Sequence, residues 1–337
     1  MEQKVKFLKY IPEKEYKEAW DITAKYSDAA WFTHLSDWID IERQWPVECY
    51  SFMVSINGVI SGIIPLFLIR KKGFKYLRSA YKGWGGPAFI KDVSNDIRKQ
   101  TYEHIDLIAK ETKADWIEIS LPLGISPVEL IDNGFKIHEM KTSVINLQKD
   151  ITEIYNNIDK KCRYEIRKSE KLGLNPIFRG AFSLDDIKKY HNIHLENYQR
   201  TNVPANPIWY FENLFKMKGN VVQFLFIEEE KEKVAAISIA MYKGHAIYLT
   251  GSSLDEALGK GLNHLLQWKV IQYLHGMGMK YYEMGEIEDS SEKAKTLGRF
   301  KESFGGEPQT ICNGIKVYKP LRYKIYCLLM KIKSWKK

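Results

Sequence analysis

Cysteine is scarce in this chain of 337 residues. Cys49, Cys162, Cys312 and Cys327 are the whole set, and no two form a CxxC pair. That excludes a disulfide framework and points to a reducing, cytoplasmic compartment. Long hydrophobic runs are missing too. The longest, Val59 to Ile69, is interrupted by serine, glycine and proline, and is too short to span a bilayer. Met1 to Lys6 are polar, so no signal peptide is expected. No P-loop, GxSxG, HExxH or cysteine cluster occurs, which removes support from kinase, hydrolase and zinc-enzyme readings. Acidic residues run out after Glu307. From Pro308 onward there are eight bases and no acid, so nearly all of the formal net charge of +9 sits in the tail. The body is close to neutral. A protein that coats DNA spreads its charge over a face of the fold, so no DNA partner is expected.

Hydrophobic residues are plentiful, at 45%, enough for two cores. The halves echo one another. Each opens with a short strand and a helix: Val5–Leu8 with Pro12–Lys25, and Ser143–Leu147 with Ile151–Leu172. A hairpin follows in each. The first turns at Asn57–Gly58, a strong hairpin dipeptide; the second turns through charged residues near Glu229–Lys231. Each half then offers a helix and a strand: Ser94–Lys110 with "ADWIEIS", and Leu262–Met277 with "MKYYEMG". This alternation predicts a mixed α/β fold. The expected division is 1–145, 146–320, and a tail helix over 321–337.

Several stretches can carry chemistry. In "EALGKGLNHLL", Gly259, Lys260 and Gly261 precede a helix. Glycines let a ligand approach the backbone, and a helix N-terminus attracts anions. The same glycines also suit a plain turn. In "DKKCRYEIRKSEKLG", Lys160, Arg163, Arg167 and Lys171 recur at helical spacing. They make either a phosphate-binding face or a solvated one. In "NYQRTNVPANPIWYF", Arg200 precedes an aromatic cluster of Trp209, Tyr210 and Phe211, which suits a planar or anionic ligand. His191 and His194 lie nearby without a third ligand, so no metal site is expected. In "GRFKESFGG", Leu297, Phe300 and Phe304 share a helix face and Gly305 fits a C-cap. Packing accounts for them but not for Lys301. In the tail, Leu321, Ile325, Leu328, Ile332 and Trp335 form an apolar stripe flanked by bases. That stripe fits an anionic membrane surface or the protein's own core.

Taken in order, "KKCRYEIRKSEKLG", "NYQRTN…WYF", "IYLTGSS…GLNHLLQWKVIQYLHGMGMKYYEMG" and "GRFKESFGG" resemble the FemABX-like transferases of bacteria, within the GNAT superfamily. The resemblance covers most of residues 145–310 and is looser before that. It implies two tandem GNAT-like domains. It also implies transfer of an aminoacyl group from aminoacyl-tRNA to a peptidoglycan precursor, in cell-wall biogenesis. Related enzymes use acyl-CoA on other amines. Lys301 would be the catalytic cation and Arg200 and Tyr248 would contact the acceptor. Tyr210 and Phe300 are further candidates for the substrate site. Arg163 and Arg167 would lie near phosphates, with Gly259, Lys260 and Gly261 on the donor. Glu283 or Glu286 would take the amine proton. Three features depart from the pattern: Glu256 occupies the first place of the acetyl-CoA loop, Gly285–Glu286 stands where the family often ends its later strand with two glycines, and no coiled-coil arm for tRNA is present.

The expectation is therefore an acyltransferase with no resident cofactor, using aminoacyl-tRNA or acyl-CoA as co-substrate. Its partner would be a cell-wall or surface-glycan precursor. It would be cytoplasmic, peripheral at the inner face of the membrane through 321–337. The alternatives are an acyl-CoA-dependent N-acyltransferase acting on an amino sugar or surface polysaccharide, and a non-catalytic RNA- or membrane-binding protein on the same fold.

Overall fold

The computed structural model describes residues 3–173, 176–177, 183–200, 203–217, 219, 221–229, 232–288 and 291–335. In chain order the first elements are β1 (Val5–Lys9), α1 (Lys14–Tyr26), α2 (Ser36–Glu42), β2 (Val47–Cys49), β3 (Phe52–Ile56) and β4 (Val59–Ile64). Next come β5 (Phe67–Lys71), β6 (Phe74–Arg78), β7 (Ala88–Phe89), α3 (Asn95–Thr112), β8 (Trp116–Ser120), α4 (Val128–Asp132) and β9 (Lys136–Asn146). Then follow α5 (Ile151–Asn157), α6 (Lys160–Glu170), β10 (Pro176–Ile177), α7 (Leu184–Arg200), α8 (Ile208–Lys216), β11 (Val222–Glu229) and β12 (Glu232–Tyr242). The chain ends with β13 (His245–Ser253), α9 (Leu262–Gly276), β14 (Tyr281–Ile287), α10 (Glu292–Glu302), β15 (Glu307–Val317) and α11 (Pro320–Trp335). The fold is mixed α/β. Among the described residues no helix is long and apolar enough to cross a membrane.

The chain divides into two compact units, Met1–Met140 with Thr310–Lys337, and Lys141–Gln309. Residues 310–320, assigned from sequence to the second half, therefore fold with the first. The reason is strand pairing: Asn313–Val317 of β15 pairs antiparallel with β8. In the first unit β1, β3, β4 and β7 form one antiparallel sheet. Asn57 and Gly58 turn β3 into β4 at φ 51° and 90°, as this dipeptide favours. Lys72 and Gly73 do the same between β5 and β6, at φ 51° and 79°. β6 and β8 run parallel, with α3 as the crossover.

The tail helix docks on this unit. Trp116 is fully buried and stacks on Tyr76 at 4.6 Å. Tyr323 and Tyr326 of α11 pack on Trp116 at 5.3 and 4.7 Å. At the helix start, Lys319 Nζ and Arg322 Nε donate to Asp115 Oδ1 at 3.0 and 2.9 Å. Asp115 itself is 1% exposed. Burial pushes its carboxyl up, but the Lys75 amide, Lys319 and Arg322 together overcome this and hold it below the usual aspartate range.

The second unit repeats the scheme. Its strands run β10-β11-β12-β13-β14 and then residues 141–146 of β9. β13 and β14 are parallel, with α9 between them. Of the second expected hairpin turn, residues 230–231 lie outside the described residues; Glu229 pairs with Glu232 beside them. The single helix expected over Ile151–Leu172 is two. Asp150 caps α5 by accepting from Thr152 N, and Asp159 caps α6 by accepting from Lys161 N. A capping aspartate needs extended backbone, and Asp159 has ψ 141°, so the helix restarts there.

Asp115→Asn should release the tail. Each hydrogen bond to the charged group is worth about 1.5–3 kcal/mol, and half-exposed partners put the expected loss of unfolding free energy at about 2 kcal/mol. The carboxylate's pKa is depressed on folding. Its contribution is therefore present above about pH 4 and is lost as pH falls below that. Urea titration at neutral and acid pH checks both statements; equal stability of variant and parent at neutral pH contradicts them.

Candidate active site

The site begins where two strands part. β13 and β14 pair in parallel only over His245–Ile247 and Tyr281–Glu283. Beyond those residues each strand carries a bulge. On β13 the register against β12 shifts between Ser238 and Ile239, leaving Leu249 as the extra residue. On β14 the register against β9 shifts between Glu283 and Gly285, leaving Met284 extra. Bulges bend a strand and re-aim its side chains. The gap between the strands is a cavity of about 510 Å³. Its walls include Tyr198, Tyr248, Thr250, Gly251, Met284, Gly285, Thr296 and Phe300, and Lys301. Among the described lining residues Lys301 is the one charged side chain.

Lys301 is only 9% exposed. The residues after β14 bring it there: Ser291 caps α10 by accepting from Ala294 N, and the helix carries Lys301 back across the strand. Its Nζ donates to Glu286 O at 2.6 Å. Gly285 makes the approach possible. It sits at φ 88°, a region side chains avoid, and a Cβ there would lie 3.3 Å from Lys301 Nζ. Desolvation lowers the Lys301 pKa, while the charges of Glu286, Glu288 and Glu283 oppose the shift without cancelling it. Beneath it, burial raises the Glu283 carboxyl to about 7, against the pull of Thr142 and Lys301. Thr142 Oγ1 donates to Glu283 Oε1 at 2.8 Å.

Three aromatic side chains, Tyr198, Tyr248 and Phe300, stand in the walls. Burial pushes the Tyr248 hydroxyl well above its ordinary pKa, so it stays protonated. Gly251 is where a larger residue cannot go: its Cβ would meet the Tyr248 hydroxyl at 2.2 Å. Thr250 is fixed from behind, since the buried Tyr190 and Ser238 both bond its Oγ1. His191 and His194, weighed from sequence as metal ligands, instead brace one loop. His191 Nε2 contacts Asn206 O at 3.1 Å, and His194 Nε2 accepts from Asn206 N at 3.0 Å.

A second cavity of about 690 Å³ adjoins the first, sharing Thr296 and Phe300. It is lined by the Gly259–Gly261 loop, the amino end of α9, one flank of α6 and Arg299. Gly261 caps α9 at φ 74°. A Cβ there would fall 2.7 Å from both Glu165 O and Ser169 Oγ, so this glycine also allows α6 and α9 to touch. Lys168 Nζ donates to Gly259 O and ties the loop to α6.

Several expected residues lie elsewhere. Cys162, Ile166 and Ser169 are the buried face of α6. Lys161, Glu165 and Lys168 flank it on the cavity side. Arg163 and Arg167 fall outside the lining, and Arg163 Nη1 donates to Asn156 O at 3.0 Å. Lys260 is held by Glu229. Arg200 is held at the rim by Asp255, Asn197 and Ser253 O. Tyr210 is buried, packing on Phe211 at 5.4 Å. Glu283 is buried behind Lys301, and Glu286 offers Lys301 its backbone carbonyl; neither is a lining residue. The Glu256 side chain lies outside the described residues. Sequence reasoning missed Asn197, Tyr198 and Thr250, although "ENYQR" carries the first two beside Arg200.

Residues 156–301, ending on Lys301, match the family model "Acetyltransferase (GNAT) domain". The second unit is therefore an acyltransferase domain of the GNAT class. Over the whole chain the fold is that of FemX, with a TM-score of 0.72 at 15% identity, covering 95% of this chain and 99% of that one. L-PGS from Bacillus licheniformis aligns with a TM-score of 0.63 at 15% identity, covering 95% and 97%. A tandem GNAT protein from the clavulanic acid biosynthesis pathway aligns at 0.56 and 12% identity, covering 93% and 98%. No curated protein matches the chain by sequence.

Gly251→Ala should push the Tyr248 ring out of place. Misplacing a positioning group costs up to about a hundredfold in rate, so turnover should fall at least about tenfold with the melting temperature nearly unchanged. Unaltered turnover would remove Tyr248 from the working surface.

Proposed function

We propose that this chain transfers an aminoacyl group from aminoacyl-tRNA to an amine of a cell-envelope precursor. The observation that carries this reading is Lys301, a buried lysine and the one charged side chain among the described residues that line the cavity between the splayed strands. Amine attack on an ester carbonyl forms a C–N bond and leaves a negative oxygen. An ammonium with one donor fixed on Glu286 O keeps two N–H groups for that oxygen. The intermediate then breaks its C–O bond, the ester oxygen leaves as the ribose hydroxyl, and the proton shed by the amine balances it. Tyr198 and Tyr248 hold the reacting groups, and their neutral hydroxyls donate without charge. The adjoining cavity, with its glycine loop and the bases Lys161, Lys168 and Arg299, would receive the phosphate-bearing end of the donor.

The FemX-like fold and the resemblance of "GRFKESFGG" support aminoacyl transfer. A likeness in fold to a putative lysylphosphatidylglycerol synthetase from Agrobacterium fabrum, whose name carries a lipid, also favours an envelope acceptor. A second reading, an acyl-CoA-dependent N-acyltransferase, is supported by the acetyltransferase family match and by Gly259 and Gly261 at the amino end of α9. Under it the acceptor would be an amino sugar or surface glycan, and a C–S bond would break instead.

A donor screen separates the two. The protein is offered a nucleotide-linked muropeptide with aminoacyl-tRNA or with acyl-CoA, and the acceptor mass is read. A gain of one amino-acid residue from the tRNA set is expected; a gain only from acyl-CoA selects the second reading. With the productive donor, Lys301→Ala should lower kcat by about a hundredfold to a thousandfold with little change in acceptor affinity. An unchanged kcat would take Lys301 out of the mechanism.

A further inference from the structure

The tail helix presents two opposed faces, and among its described side chains one face packs on the protein. At roughly 100° per residue, Leu321, Ile325 and Leu328 point about 160° away from Tyr323 and Tyr326. The tyrosines dock on Trp116, and Tyr326 also meets Phe74 at 5.4 Å. The opposite stripe is open: Leu321 is 72% exposed, Leu328 59%, Ile325 44% and Leu329 42%. The core reading of this stripe, left open by the sequence, is thus excluded for these residues by the docking of the other face.

The surroundings say what covers it. After Glu307 the chain has no acid, and Lys324 and Lys331 lie on one flank of the stripe, while Arg322 on the other is paired with Asp115. The fold adds more positive charge beside the helix start. Arg322 donates to Gly73 O, which sets the hairpin tip with Lys71 and Lys72 alongside. Lys319 Nζ donates to Lys113 O at 2.8 Å, bringing that lysine close. A second copy of the chain would oppose like charges at this face. An anionic lipid surface complements it, because leucines enter the acyl boundary while lysines reach the headgroups.

We propose that α11 is a membrane-surface anchor, docked on the first unit through Tyr323 and Tyr326 and inserting Leu321, Ile325 and Leu328 into an anionic leaflet. The inference is independent of the reaction catalysed in the second unit. Co-sedimentation of the full chain with phosphatidylglycerol-containing vesicles and with pure phosphatidylcholine vesicles tests it. Binding to the anionic vesicles only, weakening as salt rises, is expected. Leu321→Ser with Leu328→Ser should weaken it at least about tenfold at an unchanged melting temperature, since both side chains face solvent. Lys324→Gln with Lys331→Gln should weaken it too and flatten the salt dependence. The proposal is overturned if the parent chain prefers neither vesicle, or if the leucine variant binds as the parent does. It is equally overturned if the parent forms dimers that the leucine variant abolishes, with no vesicle binding in either.

Discussion

An ammonium ion held away from water is costly, and the second unit is arranged around holding one. Burial weakens the proton's hold on Lys301, while the charges of Glu286, Glu288 and Glu283 strengthen it; burial has the larger effect. In its protonated form the group is a cation with little solvent around it, and its field is correspondingly strong. Each neighbouring feature serves this position. Gly285 has no side chain to collide with Nζ, and the Glu286 carbonyl fixes one of its donors. Glu283, raised to about 7, is partly protonated near neutrality. It therefore does not neutralise the ammonium with a full opposite charge.

The strands make room for that cation. A parallel pair that zipped along its whole length would leave no gap beside Lys301. Pairing stops after Ile247 and Glu283, and the bulged Leu249 and Met284 turn the chains apart. The two cavities share Thr296 and Phe300 as lining residues, so they lie side by side.

Local chemistry was legible in the sequence. Asn57–Gly58 announced its hairpin, and the alternation of strands and helices the α/β class. Lys301 was legible only because "GRFKESFGG" resembles a family motif; its charge alone fits a solvated residue equally well. The cationic row on α6 left both readings open because base spacing does not tell which flank turns inward. The apolar spacing of Cys162, Ile166 and Ser169 carried that signal. Thr250 and Tyr198 were invisible for another reason: strand splay brings them to the cavity, and splay depends on contacts distant in sequence. The tail was half legible. Its stripe stands in the sequence, but the outward aim of that stripe depends on Trp116 accepting Tyr323 and Tyr326.

The central claim is that the protonated form of Lys301 stabilises the transition state. The most direct measurement follows the Lys301 side-chain resonance through a pH titration, beside the pH dependence of kcat for acyl transfer. The account predicts that Lys301 titrates below the ordinary lysine value, about 10.4, and that kcat falls with rising pH along the same curve. A Lys301 that titrates as a solvated lysine, or a kcat that stays level while Lys301 loses its proton, would contradict it.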